Sequence, residues 1–216
     1  SMDDRFSLCN MAIEAGAKSG IVAYDSITEA FLADKKLARP AIIHASDDDA
    51  TYVQTLTIDL STLEPVIASP FLPSNGHTLS QAVADHLKID QAFIGSCTNG
   101  RLSDLRMAAA ILKGRKVARH TRLIITPATQ KIALQAQKEG LMEIFVEAGA
   151  VVSNPTCGAC LGGYMGILGD AERAVATTNR NFVGRMGARN SEVYLANSAI
   201  AAASAIAGYI CGPDHL

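Results

Sequence analysis

Short apolar runs alternate with segments of helical spacing through the middle of the chain, and this alternation constrains the fold more than any other feature. Gln91–Gly95, Arg122–Thr126 and Ala150–Val152 read as strands. Ser103–Lys113, with Ser103 as N-cap, Pro127–Glu139, entered through Thr126-Pro127, and Leu141–Ala148 read as helices between them. Strands centred on Phe93, Leu123 and Val151 that alternate with helices imply a parallel sheet covered on both faces. A further helix is expected over Leu79–Leu87, and the apolar stretch Ala196–Ile210 reads as a buried helix. Asn197, Ser198 and Ser204 interrupt that stretch, and it is too short to span a bilayer.

The first sixty residues follow a different pattern. Leu8–Lys18 carries apolar residues at helical spacing and is flanked by Gly16 and Gly20. Ile21–Tyr24 reads as a short strand. Ser26 and Glu29 form a capping box that opens a second helix. Leu37–His44 reads as a loop leading to an apolar run, Ser46–Ala50 is polar and acidic, and Thr51–Leu60 alternates like a strand. Pro65, Pro70, Pro73 and the turn Ser74-Asn75-Gly76 mark a boundary within 61–80. Ser1-Met2 reads as a remnant outside the native sequence.

Composition removes several functional classes. At 216 residues the chain can bury a sizeable core, and 49% hydrophobic with 19% charged residues excludes a disordered chain. A net charge of −2 and an aromatic content of 5% leave no footprint for nucleic acid or an anionic membrane. No secretory signal is visible, and five cysteines are an odd number for a disulfide framework. That combination points to a reducing compartment, where thiols do metal or redox chemistry.

Polar, glycine-containing loops carry the chemistry. Gly95-Ser96-Cys97-Thr98-Asn99-Gly100 leaves the carboxyl end of a buried strand, where open α/β sheets place their sites. Asn154–Gly163 also follows a strand and contains Cys157 and Cys160. A C-x-x-C alone is compatible with a redox pair, half a zinc site or half an iron–sulfur site. Flanking glycines let backbone amides approach closely, as cluster sulfides require, and Cys97 adds a third thiol. Three thiolates would leave one iron of a [4Fe–4S] cluster open as a Lewis acid. Cys9 and Cys211 read as small buried hydrophobes. In the third loop, Thr177–Gly187, the run Asn179-Arg180-Asn181 with Arg185 offers two guanidinium groups to carboxylates.

These motifs together resemble the aconitase superfamily, in particular the large-subunit type of 3-isopropylmalate dehydratase and homoaconitase. Gly95–Gly100 and Cys157–Gly163 match its two cluster signatures, Thr178–Gly187 its substrate-arginine loop, and Asn10–Ala17 a segment with an active-site glutamate. The resemblance covers nearly the whole chain. It implies an α/β fold: an aconitase-type three-layer αβα domain with a mostly parallel sheet, residues 63–216, after the end of a similar domain, residues 1–62. It implies that Cys97, Cys157 and Cys160 ligate a [4Fe–4S] cluster within the surroundings of Asn10 and Asn99. Asn179 would bond to the cluster surroundings and contribute to substrate binding. Glu14, Arg180 and Arg185 would be catalytic, the two arginines also binding substrate. The implied activity is a cytoplasmic hydro-lyase of leucine biosynthesis acting on a small di- or tricarboxylate.

A complete large subunit of this type is about twice as long, and none of His44, His77, His86, His120 and His215 stands in a matching motif. His44 reads as structural and His120 as part of a solvated basic face. The general base implied by the resemblance is a serine of a swivelling domain on a separate small subunit, joined as a heterodimer or heterotetramer. The chain therefore reads as the later half of a large subunit, inactive by itself and with its cluster absent or incomplete. Other readings are a homoaconitase or aconitase-type hydratase, and, from a different class, a zinc or redox C-x-x-C module.

Overall fold

The computed structural model describes residues 1–33 and 35–216. They form two compact units, Ser1–Leu63 and Glu64–Leu216.

In the first unit, α1 (Met2–Met11) begins where the Ser1 hydroxyl accepts from the Asp4 amide at 3.3 Å. The helix therefore starts earlier than the apolar spacing indicates. It passes into a 3-10 turn, Ala12–Ala15, and ends at Gly16, whose φ of 80° suits a residue without a Cβ. The second helix, α2 (Ser26–Ala33), is capped by Asp25, not by Ser26. Asp25 Oδ1 accepts from the amides of Ile27 and Thr28, both at 3.1 Å, while Arg5 grips the same carboxylate at 2.8 and 2.7 Å. Phe6 meets Phe31 edge-on at 5.7 Å. The strands expected at Ile21–Tyr24 and Thr51–Leu60 are absent from the described residues of this unit, and His44 is exposed. Ile21, Tyr52, Val53, Leu56 and Ile58 are all exposed. Alternation offers a face for burial, but a strand also needs a neighbouring ladder to take its amides.

The second unit opens on a hairpin, β1 (Val66–Ala68) and β2 (Gly76–Thr78), within the proline-rich segment that the sequence marks only as a boundary. Then come α3 (Leu79–Val83), β3 (Gln91–Gly95), the single turn α4 (Ser96–Asn99), α5 (Leu102–Leu112) and β4 (Arg122–Thr126). After these follow α6 (Gln130–Lys138), α7 (Leu141–Ala148), β5 (Val151–Val152), β6 (Arg173–Ala176), β7 (Glu192–Leu195) and α8 (Ser198–Ala207). Helix starts shift where capping chemistry overrides spacing. Asp104 accepts from the Arg101 amide at 3.0 Å, so α5 starts before Ser103. Thr129 accepts from the Ile132 amide at 3.2 Å, so α6 starts three residues after Pro127.

The seven strands form one sheet in the order β2-β1-β7-β6-β3-β4-β5. Strands β3 to β7 are parallel, and the β1–β2 hairpin is added antiparallel at the β7 edge. The chain winds outward from β3 to β5, returns to the other side as β6, and continues to β7. The reversal puts the carboxyl ends of β3 and β6 side by side, the place where open sheets form crevices. Strands β6 and β7 escape the sequence reading because each is four residues long and opens on a charged residue. Those residues are register partners, Arg173 and Glu192, paired at 2.5 Å.

Alternate strand residues face opposite ways. Ala92, Ile94, Leu123, Ile125, Val175 and Tyr194 pack with α5, α7 and α8 in one core. Phe93, Ile124, Ala174, Ala176, Val193 and Leu195 pack in a second core with Ala159, Leu168 and Met186. The sheet is mixed, mostly parallel and flanked by helices, as an α/β layer fold requires. Its second face, however, is covered by the loops between β5 and β7.

Candidate functional site

Every loop of interest leaves a carboxyl end of the parallel strands. At the end of β3 the chain must turn hard against β4. Gly95 has a φ of 151°, and a Cβ there would lie 2.2 Å from the Thr126 carbonyl oxygen. Ser96 follows at a φ of 93°, with its hydroxyl accepting from the Asn99 amide at 3.1 Å. This turn presents Cys97 to the exterior.

Thr177, the first residue after β6, clasps the same point. Its hydroxyl donates to the Gly95 carbonyl at 3.1 Å and accepts from the Gly95 amide at 2.9 Å. Asn99 Nδ2 donates to the Thr177 carbonyl and, at 2.5 Å, to Asn179 Oδ1. The first cysteine loop and the arginine loop are thus joined at their roots.

The second cysteine loop leaves β5 at Ser153, whose hydroxyl is 3.0 Å from the Thr126 hydroxyl. It closes into a 3-10 turn, Gly158–Leu161, with the Cys160 amide donating to the Cys157 carbonyl at 3.2 Å. Gly158 has a φ of 58°, and a Cβ on it would stand 2.7 Å from the Phe93 ring. Cys157 is exposed and Cys160 half-buried. Burial pushes the Cys160 thiol above its ordinary value. Arg185, with Nη2 at 4.0 Å from the sulfur, opposes that rise, while charge on Cys97 and on Cys157 adds to it. All three thiols therefore share one electrostatic neighbourhood.

The arginine loop returns along this neighbourhood. Its far end is tied to the end of the second cysteine loop: the Leu168 amide donates to the Met186 carbonyl at 2.8 Å, and the Ala188 amide to the Leu168 carbonyl at 2.9 Å. Gly187 makes this possible, since a Cβ there would lie 2.3 Å from the Leu168 carbonyl oxygen. Arg185 Nε is buried and has no hydrogen-bond partner. A guanidinium edge in that state is a donor prepared for an anion.

Cys97, Asn99, Cys157, Cys160, Asn179, Arg180 and Arg185 all belong to these three loops of the second unit. Asn10 lies in the last turn of α1 and Glu14 in the 3-10 turn, both in the first unit. Cys211 is buried, and burial pushes its thiol up to about 11, consistent with an inert packing role. Sequence reading missed Thr177, Thr126 and Ser153. Their signal is a hydroxyl residue at the last strand position or just after it; for Thr177 it becomes visible only once β6 is recognised, whereas Thr126 and Ser153 end strands the sequence already shows.

Among the described residues, no three His, Cys, Asp or Glu side chains gather closely enough to hold a single metal ion. A structural zinc ion thus has no ligand set here. A cuboidal cluster makes a looser demand, because each thiolate takes a different iron. Three neighbouring thiols in glycine-rich loops, two of them exposed, and an unfilled buried donor suit such a group.

The chain matches the family model described as Aconitase family (aconitate hydratase) over residues 1–208. It is 75% identical over 215 residues to the 3-isopropylmalate dehydratase large subunit of Campylobacter fetus subsp. fetus (strain 82-40), covering 100% of this chain and 51% of that protein. It is 72% identical over 221 residues to the protein of the same name from Sulfurovum sp. (strain NBC37-1), covering 100% of this chain and 52% of that protein. With the Aliarcobacter butzleri (strain RM4018) protein of that name the identity is 68% over 221 residues, again 100% of this chain and 52% of the relative. The chain spans about half the length of the curated relatives it matches. Since the match runs through both cysteine loops and the arginine loop alike, the chain belongs to the aconitase family.

Proposed function

We propose that this chain is the later half of a 3-isopropylmalate dehydratase large subunit, an iron–sulfur hydro-lyase of leucine biosynthesis. The reaction interconverts 2-isopropylmalate and 3-isopropylmalate by removal and return of water. The observation that carries this reading is Arg185: its buried, unfilled Nε and its approach to Cys160 put an anion-seeking donor beside the thiols.

In this reading Cys97, Cys157 and Cys160 hold three corners of a [4Fe–4S] cluster. When bound, the cluster supplies Lewis acidity at the iron without a cysteine, which makes the substrate hydroxyl a better leaving group. The chain's own residues do the rest of what this half contributes. Arg180 and Arg185 receive the substrate carboxylates and offset the charge that grows as a proton leaves the adjacent carbon. Asn179, held by Asn99, fixes the start of the arginine loop. Glu14 serves proton exchange at the departing hydroxyl, with Asn10 beside it in the cluster's hydrogen-bond shell. The carbon acid needs a base on the opposite side, which this reading assigns to a serine of the small subunit's swivelling domain.

The domains follow the same assignment: residues 63–216 are the cluster-binding domain, and 1–62 end a preceding one. Among the described residues no helix is long and apolar enough to cross a membrane, and a cytoplasmic enzyme is the proposal.

The test uses the full-length large subunit with its small subunit, reconstituted anaerobically with iron and sulfide. Turnover of 2-isopropylmalate well above that of citrate and homocitrate, with about four iron and four sulfide per large subunit, is the expected result. Preference for citrate or homocitrate would overturn the substrate assignment, and zinc without sulfide would overturn the cofactor. The 216-residue polypeptide treated in the same way is expected to show neither a stable cluster absorbance nor turnover.

A further inference from the structure

Residues 177–181 extend beyond β6, and alternate side chains are anchored. Thr177 clasps Gly95 and Asn179 receives Asn99, as described above. Asn181 is the third anchor. Its side chain is fully buried, and Nδ2 lies 2.8 Å from the Ser69 carbonyl, 3.0 Å from the Val193 carbonyl and 3.4 Å from the Ala68 carbonyl. Those acceptors belong to β1, to the residue after it and to β7, the strands joined at the antiparallel edge.

The geometry is one-sided. A primary amide has two N–H groups, and here three carbonyls meet them. Asn181 Oδ1, by contrast, is buried with no partner. An unmet buried acceptor is costly, so a side chain chosen for packing alone would not carry one. The donor end is what this position uses. Between the anchors at Asn179 and Asn181 stands Arg180, which is not fully buried and whose carbonyl accepts from the Thr178 hydroxyl at 3.3 Å.

We propose that Asn181 is a positioning residue for Arg180. It ties the arginine loop to β1 and β7 on one side, as Asn179 ties it to the first cysteine loop on the other. The guanidinium is thereby held where a substrate carboxylate is received. The inference rests on the reading of Arg180 as a carboxylate-binding group and adds the residue that sets its place.

The test uses the reconstituted two-subunit enzyme. Asn181→Ala should lower kcat/KM for the hydroxy acid about tenfold, mainly through a higher KM with a smaller fall in kcat, and keep wild-type iron and sulfide content. On an Arg180→Lys background, which by itself raises KM, Asn181→Ala should add no further rise, because the group it positions is already changed. Independent, multiplying effects of the two substitutions would overturn the inference, as would an unchanged KM or a loss of iron. If Asn181→Ala does not fold, Asn181→Ser, whose single short hydroxyl cannot bridge carbonyls of both strands, is read in the same way. Failure of both to fold would make Asn181 a stability residue and overturn the proposal. Should Arg180→Lys leave KM unchanged, it is the carboxylate reading of Arg180 that fails, whatever Asn181 does.

Discussion

The two faces of the parallel sheet are covered by different materials. Phe93 and Ile94 are neighbours in β3, both fully buried, and they point to opposite sides. Ile94 meets helices whose apolar stripes do nothing but pack. Phe93 meets the turn that carries Cys157 and Cys160, with its ring filling the space beside Gly158. On the helical face, stability and chemistry are separable. On the loop face the cover of the core and the bearer of the site are the same segments, so a packing change there is also a change of site.

The sharpest way to break this comparison is to truncate the two neighbours. Ile94→Ala and Phe93→Ala should each destabilise the chain, by about 2–5 and about 3–5 kcal/mol respectively, because each leaves a cavity in a closed core. Their second effects should differ. Below the melting transition, Ile94→Ala should leave alkylation of Cys157 and Cys160 by iodoacetamide at the wild-type rate. Phe93→Ala should accelerate it severalfold, since the turn at Gly158 loses its seat. Urea unfolding and mass-resolved alkylation provide both readings, and equal acceleration in the two variants would show that the faces do not differ.

Gly187→Ala is the next largest test, confined to the loop face. A methyl group 2.3 Å from the Leu168 carbonyl oxygen, at a φ of 147°, cannot be accommodated without parting the two loops. The cost should be about 1–3 kcal/mol. Hydrogen exchange should speed up at the Leu168 and Ala188 amides, which bridge the loops, and remain slow in α5 and α8. Thr177→Val should cost less, about 1–2 kcal/mol, by leaving the Gly95 amide and carbonyl unmet at the root of both loops. Exchange at the Gly95 amide is the reading that checks it.

The two faces also differ in how far the sequence foretells them. β3, β4 and α7 are read with their observed limits because each carries its own signal: a run of apolar residues, or helical spacing ended by a glycine at Gly149. The cysteine and arginine loops are legible as motifs because Gly95, Gly158 and Gly187 mark close backbone approaches. What joins the loops is not legible. The Thr177 clasp and the Leu168–Gly187 bridge span residues far apart in the chain or unmarked by any period, and they depend on β6, too short to announce itself. Thr51–Leu60 is the converse case, a clear alternation with no ladder partner among the described residues. Pattern states what a segment can bury; pairing decides whether it becomes a strand.

The weakest of these tests sits at the opposite, amino-terminal edge of the strands and reaches the loop face from below. Arg122 holds Glu172 by two bonds, 2.8 and 2.7 Å, and Gly169 donates to the same carboxylate at 2.8 Å. Arg122 Nε also donates to Gln91 Oε1 at 3.1 Å, and Gln91 Nε2 to the Gly166 carbonyl at 2.8 Å, within the segment that follows the second cysteine turn. Hydrogen bonding from Arg122 holds the Glu172 carboxyl below its ordinary range, aided by the Gly169 amide and by the arginine's charge against the cost of burial. The native state therefore takes up this proton less readily than the unfolded chain. Stability from the pair is complete above the unfolded value, about 4.3, and is lost as pH falls through it toward the lower native value. Both partners remain partly exposed, so the contribution should be under about 1 kcal/mol. Glu172→Gln keeps one acceptor oxygen, and removes the charge together with an acceptor for one of the two Arg122 bonds. Urea unfolding at pH 7 should find the variant slightly less stable than wild type, and the gap should narrow as pH falls below the unfolded value. A gap that stayed constant with pH would show that the ion pair does not carry this edge of the loop face.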